Sequence, residues 1–274
     1  MSDERERAEE SNAKKEFGLL RDRLQHHMPP AARAHLQGAF TEDLLAETVS
    51  YDTPRGPLSF VILGKTSAGR AATLMTKQPG TIEWIDAFAP DSVFWDIGAN
   101  IGVYTLYAAL RKDMRVVAFE PVAVNYFLLA ANCEANELDG RVDALLLGVG
   151  GGRSVGRIET SQFKPGKSFS FKGKRDTPYA GHQAALILSM DQLVEDFGLP
   201  CPNYIKIDTP GMSEAILAGG AKLLRRPDVR EIHMELNEER QGAPAITALL
   251  DGAGFVASTR HTHGGSSDLT FIRR

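Results

Sequence analysis

A glycine turn between an apolar strand and a helix constrains this chain more than any other stretch of its sequence. Residues 93–97 are bulky apart from Asp96, glycines follow at Gly98 and Gly102, and residues 104–110 continue as a plausible helix. Glycine lets the backbone of such a turn approach a ligand closely, and the next helix begins with unpaired N–H groups. The stretch therefore predicts a nucleotide-type site at the carboxyl end of a parallel strand.

The residues around the glycines indicate which nucleotide would bind. A dinucleotide fingerprint requires Gly-x-Gly-x-x-Gly, but those three places hold Gly98, Asn100 and Val103. Asp96 adds a carboxylate just before the turn, which would repel a pyrophosphate and suits a ligand with a cationic amino-acid end. The pattern argues against NAD and favours S-adenosylmethionine.

A second acid supports the same cofactor. Residues 115–120 predict a strand that ends in Glu120, from which a carboxylate can bind ribose hydroxyls. Each acid also has a structural interpretation, since Asp96 could cap the turn and Glu120 could be a solvated strand end. The two acids in this spacing favour the cofactor site.

Strands and helices alternate over most of the remaining chain, which predicts an α/β fold with a mostly parallel sheet and an antiparallel last strand. No internal repeat is present. The predicted strands are residues 58–63, 142–147, 203–208, 229–236, 254–259 and 269–273, and the predicted helices are residues 81–88, 122–137, 191–197, 213–224 and 243–250.

Composition excludes several classes of protein. The net charge of −4 argues against an extended nucleic-acid groove, so we expect no nucleic-acid partner. Two cysteines, Cys133 and Cys201, provide neither a disulfide framework nor zinc spacing, and we name no metal ligand. No apolar run approaches membrane-spanning length and the charged N-terminus is unlike a signal peptide, so we expect no membrane insertion and a cytoplasmic location.

Three motifs carry a resemblance to a known family: residues 96–102 (DIGANIG), 119–121 (FEP) and 205–208 (IKID). With them the chain resembles the FkbM family of S-adenosylmethionine-dependent methyltransferases. The resemblance implies a Rossmann-like seven-strand methyltransferase sheet with helices on both faces, and an O-methyltransferase acting on a hydroxyl of a sugar, polysaccharide or polyketide-like acceptor. It also implies the cofactor-binding residues, which are Asp96, Gly98, Asn100, Gly102, Tyr104, Glu120 and Pro121.

The composition and the alternation of elements divide the chain into three predicted regions. Residues 1–50 form a charged helical extension, residues 51–274 the methyltransferase domain, and residues 150–185 a substrate-side insertion that breaks the alternation. We expect residues 1–16 to be frayed or disordered. The weak apolar stripe that follows them could pack on the domain or form a homo-oligomer, or the extension could be a solvated tail.

Methyl transfer is an in-line displacement from a sulfonium, so the enzyme mainly aligns the partners and accepts a proton from an alcohol. Asp208, at the end of its predicted strand, is the first candidate for this role. His182 in the insertion, and His233 or Glu235 on the strand predicted at residues 229–236, are alternatives that could also be structural or plain loop. An unperturbed Asp is a weak base, so Asp208 either needs burial to raise its pKa or acts by orienting the hydroxyl.

Two features leave other functions open. The family usually has a second acid where this chain has Pro210, which suggests an altered substrate or reduced activity, or a cofactor-binding module that has lost catalysis. Residues 208–211 are similar to the Asp-Pro-Pro-Tyr loop of amino-methyltransferases but lack the aromatic residue that would stack on a flipped base, so N-methylation is the weaker alternative.

Overall fold

The computed structural model describes residues 2–160, 164–168, 181–236, 243–263 and 266–274 of the chain. These residues form two compact units, one within residues 1–47 and one within residues 48–274. Along the described part of the chain, no helix combines the length and the apolar character needed to cross a membrane.

The first unit consists of helices α1 (Ser2–His26) and α2 (Pro30–Ala46). Helix α1 includes the residues that we expected to be frayed, because Glu, Arg, Lys and Ala, which dominate there, all have high helix propensity. Proline at the first position of α2 suits a helix start. Association through this unit stays a prediction. Its exposed large apolar side chains are Phe17, Leu19, Leu20, Leu36, Phe40 and Leu44.

The second unit alternates strands and helices, as the sequence predicts. The elements, in chain order, are β1 (Val49–Tyr51), β2 (Leu58–Phe60), α3 (Lys65–Ala72), α4 (Pro79–Asp86), β3 (Ser92–Ile97), α5 (Val103–Ala109), β4 (Met114–Phe119), α6 (Ala123–Ala135), β5 (Val142–Leu145), β6 (Gly148–Val149), β7 (Ser154–Thr160), β8 (Gly181–Leu188), α7 (Met190–Glu195), β9 (Tyr204–Ile207), α8 (Ser213–Ala218), a 3₁₀ turn (Leu223–Arg225), β10 (Glu231–Leu236), α9 (Ala243–Gly252), β11 (Phe255–His263) and β12 (Ser266–Arg273).

A seven-stranded sheet in the order β11-β12-β10-β9-β3-β4-β5 forms the centre of this unit. Strands β10, β9, β3, β4 and β5 are parallel neighbours, and β12 runs antiparallel between β10 and β11. Because parallel crossovers are right-handed, the helices that lead from β3 towards β5 lie on the opposite face from those that lead from β9 towards β11. The predicted Rossmann-like methyltransferase sheet is confirmed.

The central strands are buried on both faces, which is why they appear as almost continuous apolar runs in the sequence. Trp95 and Ile97 of β3, Phe119 of β4 and Ile205 of β9 are at most 1% exposed and belong to one core cluster. The strands are therefore fixed in register at the edge where β3, β4 and β9 end.

A second, three-stranded sheet was absent from the sequence-based assignment. Strand β8 pairs in parallel with β6 and antiparallel with β7, and the β7–β8 pair contains the described ends of the predicted insertion. Residues 161–163 and 169–180 of that insertion lie outside the described residues. The predicted helix 213–224 also differs, since α8 ends at Ala218 and a 3₁₀ turn follows Gly219 and Gly220.

Candidate functional site

The glycine turn lies between the ends of β4 and β9. Gly98, Asn100 and Gly102 all have positive φ, at 88°, 55° and 89°, and the N–H groups of residues 98 and 99 donate to the carbonyl of Phe119. A Cβ atom at position 98 would lie 2.4 Å from the backbone oxygen of Asp208. The turn is therefore pressed against the neighbouring strand ends, and glycine is needed at 98 for both its φ and its space.

Glu120 lies beside the turn and is 4% exposed. Its Oε2 accepts from the backbone N–H of Asn100 at 2.8 Å, and its Oε1 accepts from the N–H of Val122 at 2.8 Å. Burial raises the pKa of Glu120 to about 7, although these two N–H groups act in the opposite direction. Each oxygen keeps further lone-pair capacity for a donor from a ligand.

A cleft opens at this edge of the sheet. Among the residues predicted as site residues, it brings together Gly98, Asn100, Glu120, Pro121 and Asp208. Among the described residues that line it, none is aromatic. The other lining residues are Arg70, Val122, Asn125, Ile158, Ser168, Thr209, Pro210 and Met212.

Asp208 contacts a cluster of buried charged side chains. Lys206 is 3% exposed, and its Nζ lies 3.2 Å from Oδ2 of Asp208 and 3.8 Å from Oδ1 of Asp96. The ammonium also lies 4.9 Å from the ring centroid of Tyr104. Oδ2 of Asp96 accepts from the Thr105 hydroxyl at 2.7 Å. The two acids are thus joined through one cation.

The pKa values in this cluster follow from burial and charge. Burial acts to lower the pKa of Lys206, but Asp208 and Asp96 outweigh it and raise the pKa above its ordinary value. Burial acts to raise the pKa of Asp208, but the charge and hydrogen bond of Lys206 hold that pKa below its ordinary value. Burial raises the pKa of Asp96. Asp208 is consequently ionised near neutral pH and is a weak proton acceptor.

Three predicted cofactor residues, Asp96, Gly102 and Tyr104, are not among those lining the cleft. Asp96 is 1% exposed behind the turn. Gly102 precedes the first residue of α5, where a Cβ atom would lie 2.6 Å from Leu129. The Tyr104 hydroxyl donates to the side chain of Gln78 at 2.7 Å. These three residues lie on the side of the turn away from the cleft and stabilise its conformation.

The structure places both histidine candidates outside the cleft. His182 is on the exposed side of β8, whereas the adjacent Gln183 turns inward and donates to the carbonyl of Pro121 at 2.6 Å. His233 of β10 is 2% exposed and lines a second, very small pocket that also includes Asp208. The alternation of side chains along β8 explains why His182 and Gln183 face opposite ways.

The imidazole of His233 is both packed and hydrogen-bonded by its neighbours. Its ring stacks on Trp84 with centroids 4.7 Å apart, and its two nitrogens contact the hydroxyls of Thr81 and Thr270 at 2.9 and 3.0 Å. Burial lowers the pKa of His233 to about 3, and the nearby Lys206 acts in the same direction. The imidazole is neutral near pH 7 and packs between α4 and the sheet.

Sequence reasoning missed three residues of this site. Lys206 had a detectable signal, because a lysine inside the apolar run of β9 requires a buried acid. Asn125 and Arg70 line the cleft from α6 and α3, and α3 was not predicted at all. Among the described residues, no group of three or more His, Cys, Asp or Glu side chains is placed to hold a metal ion.

A family model described as the methyltransferase FkbM domain matches residues 96–257, which is more than half of the chain. The matched range contains the glycine turn, Glu120 and the Lys206–Asp208 strand end. It also contains the charge cluster described above.

Three curated proteins are similar to parts of this chain. The hexuronic acid methyltransferase AglP of Haloferax volcanii is 26% identical over 81% of this chain and 91% of AglP. The 31-O-demethyl-FK506 methyltransferase FkbM of Streptomyces tacrolimicus is 25% identical over 61% of this chain and 74% of that protein. The AMB antimetabolite synthetase AmbE of Pseudomonas aeruginosa is 31% identical over 62% of this chain, and the match spans only 10% of AmbE.

Proposed function

We propose that this chain, which belongs to the FkbM methyltransferase family, transfers a methyl group from S-adenosylmethionine to a hydroxyl of a sugar, polysaccharide or polyketide-like acceptor. Two relatives support this acceptor class, since one is named a hexuronic acid methyltransferase and the other a 31-O-demethyl-FK506 methyltransferase. The single observation that carries the proposal is Asp208, paired with Lys206 at 3.2 Å, at the edge of a cleft that also contains Gly98 and Glu120.

The cofactor is S-adenosylmethionine, and the cleft fits it. The carboxylate of Glu120 is oriented by two backbone N–H groups and has acceptor capacity left for ribose hydroxyls. Gly98 itself carries no side chain, so a ligand in the cleft can approach the backbone of the turn closely. We propose that Gly98, Asn100, Glu120 and Pro121 contact the cofactor, and that Asp96, Gly102 and Tyr104 hold the turn in shape.

S-adenosylmethionine supplies a methyl group on a sulfonium, which is already a good leaving group. The protein must therefore mainly align an acceptor hydroxyl with the methyl group and orient the O–H bond of that hydroxyl. We propose that the ionised carboxylate of Asp208 accepts the hydrogen bond of that hydroxyl. Lys206 keeps Asp208 ionised and fixes its orientation through the 3.2 Å contact.

The composition of the cleft also bears on N-methylation of a nucleobase. A flipped base is normally held by stacking on aromatic side chains, and none of the described residues lining this cleft is aromatic. This supports a hydroxyl acceptor over a base. Pro210 lines the cleft in the place of the family's second acid, and we propose that Asp208 supplies the carboxylate that faces the acceptor.

A radiolabelled methyl-transfer assay tests this function. The purified chain is incubated with methyl-labelled S-adenosylmethionine and matched acceptors: a glucuronoside, the corresponding glucoside, a macrolide alcohol and an amino sugar whose hydroxyls are blocked. We expect label on a hydroxyl acceptor and none on the blocked amino sugar. Label on the blocked amino sugar alone would show N-methylation, and cofactor binding without transfer to any acceptor would favour a module without catalysis.

Replacing Glu120 by alanine should weaken cofactor binding. We expect the Kd of Glu120→Ala for S-adenosylhomocysteine to rise at least about tenfold, or roughly 1.4 kcal/mol, because the ribose loses its carboxylate acceptor. Isothermal titration calorimetry measures the change. Glu134→Ala, on the exposed side of α6, is the matched control and should bind normally. Equal affinity in both variants would remove Glu120 from the cofactor site.

Cofactor affinity should also depend on pH through Glu120. Its pKa of about 7 means that the carboxylate is largely protonated at about pH 6 and largely ionised at about pH 8. Because the ionised form accepts more hydrogen bonds, affinity for S-adenosylhomocysteine should rise with pH, by up to about tenfold over this interval. Glu120→Gln should show a flat profile. A slope that persists in Glu120→Gln would assign the titration to another group.

A further inference from the structure

Residues 164–168, which we call the strap, bridge three elements beside the cleft. Their backbone is contacted by side chains from α3, the glycine turn and α6. Ser168, at the end of the strap, lines the cleft together with Glu120 and Asp208. The strap is therefore part of the cleft wall and is attached to it at several points.

Asn125 is the central attachment. Its side chain is 1% exposed, its Oδ1 accepts from the N–H of Gly166 at 2.8 Å, and its Nδ2 donates to the carbonyl of Lys167 at 3.0 Å. Nδ2 of Asn100, in the glycine turn, donates to the same carbonyl at 3.3 Å. Because both the oxygen and the nitrogen of this buried amide are hydrogen-bonded, the amide fixes the backbone of the strap.

Arg70 and Gly166 form a second attachment. Nε of Arg70 donates to the carbonyl of Gly166, and its Nη2 donates to the hydroxyl of Ser168 at 2.7 Å. Gly166 has a φ of 81°, and a Cβ atom there would lie 2.8 Å from the backbone nitrogen of Ser67. Only glycine allows the strap to lie this close to the start of α3.

We propose that Asn125 is a positioning residue for the cofactor, acting through the strap. By joining the strap to α6, Asn125 keeps the strap against Asn100 and holds this wall of the cleft in place beside Glu120. A cofactor bound in the cleft can leave only slowly while the wall is held, so loss of the attachment raises the dissociation rate. This inference rests on the proposed binding of S-adenosylmethionine in the same cleft.

The test compares S-adenosylhomocysteine binding by the wild type, Asn125→Ala and Gly166→Ala, with the dissociation rate measured by stopped-flow fluorescence. Asn125→Ala removes one attachment of the strap by loss of the amide. Gly166→Ala removes one by a steric clash with the start of α3. We expect the Kd to rise about tenfold in each, mostly through faster dissociation. In the methyl-transfer assay the KM for the cofactor should rise in both variants.

Asn136→Ala is the matched control. Asn136 follows α6, and its amide also makes a pair of bonds to the backbone of one residue, Ser59, at 2.8 and 2.7 Å, away from the cleft. The Asn136→Ala variant should lose about as much folding stability as Asn125→Ala, and its rate of cofactor dissociation should equal that of the wild type. Hydrogen exchange gives a readout without ligand, since the amide of Gly166 should exchange faster in Asn125→Ala and not in Asn136→Ala.

Wild-type dissociation rates in both Asn125→Ala and Gly166→Ala would overturn the inference. The proposed function would stand in that case, provided that Glu120→Ala still weakens binding. If Glu120→Ala also binds normally, the cofactor site itself is misassigned and both proposals fall. If Asn125→Ala does not fold, Gly166→Ala decides alone, because it displaces the strap and leaves the buried Asn125 side chain in place.

Discussion

Replacing Asp208 by asparagine should lower turnover about 100-fold or more while the affinity for the cofactor stays within about twofold. Asparagine keeps the shape of the side chain and can still accept from Lys206, but it loses the charge that holds the acceptor hydroxyl. The comparison requires kcat with the best acceptor and the Kd for S-adenosylhomocysteine, measured on the same preparation.

The pH profile tests whether Asp208 stays ionised over the working range of the enzyme. Because the pKa of Asp208 lies below its ordinary value, turnover at saturating cofactor should not fall through this group between about pH 8 and pH 5. Asp143→Asn, an exposed acid of β5, serves as the control and should be fully active. Full turnover by Asp208→Asn would exclude Asp208 from the reaction.

Replacing Lys206 by methionine should destabilise the fold by about 3–5 kcal/mol, because removing one member of a buried ion pair leaves uncompensated charge. Asp96 and Asp208 both lose their shared cation, and methionine fills the space of the side chain without replacing its charge. Urea unfolding monitored by circular dichroism measures the loss. Lys222→Met removes an exposed lysine paired with Glu195 and should leave the unfolding midpoint unchanged.

The effect of Lys206→Met should depend on pH. Without Lys206, the pKa of the buried Asp96 rises further above its value in the unfolded chain. The penalty is then present at neutral pH, shrinks as the pH falls through the folded-state pKa, and is gone below the unfolded-state pKa. The double variant Lys206→Met with Asp96→Asn should recover part of the stability at neutral pH. Wild-type stability of the single variant would show that the cluster is dispensable.

Local sequence signals were enough to predict the centre of the fold. The glycine turn, the acid at Glu120 and the strand ending in Asp208 are each encoded by residues that are adjacent in the sequence and that favour a particular backbone conformation. The structure brings all three to one cleft. Alternation of strands and helices predicted the parallel sheet for the same reason.

Contacts between distant residues could not be predicted in this way. Asp96 and Lys206 are direct cross-strand neighbours only because β3 and β9, which do not follow one another in the chain, pair in the sheet. Gly166 likewise meets Arg70 across 96 positions. A histidine in a strand gives no sequence signal that separates a base from a packed ring, so the contact of His233 with Trp84 became visible only in the structure.

The tight approach of Gly98 to the backbone of Asp208 has a consequence for engineering. The main chain of the turn lies against the main chain of the strand end, with the methyl group of Thr209 beside it, so these contacts set the distance between the cofactor half and the acceptor half of the site. Libraries that aim at bulkier acceptors should therefore leave Gly98 and Thr209 unvaried and diversify Pro210 and Met212 along the rim.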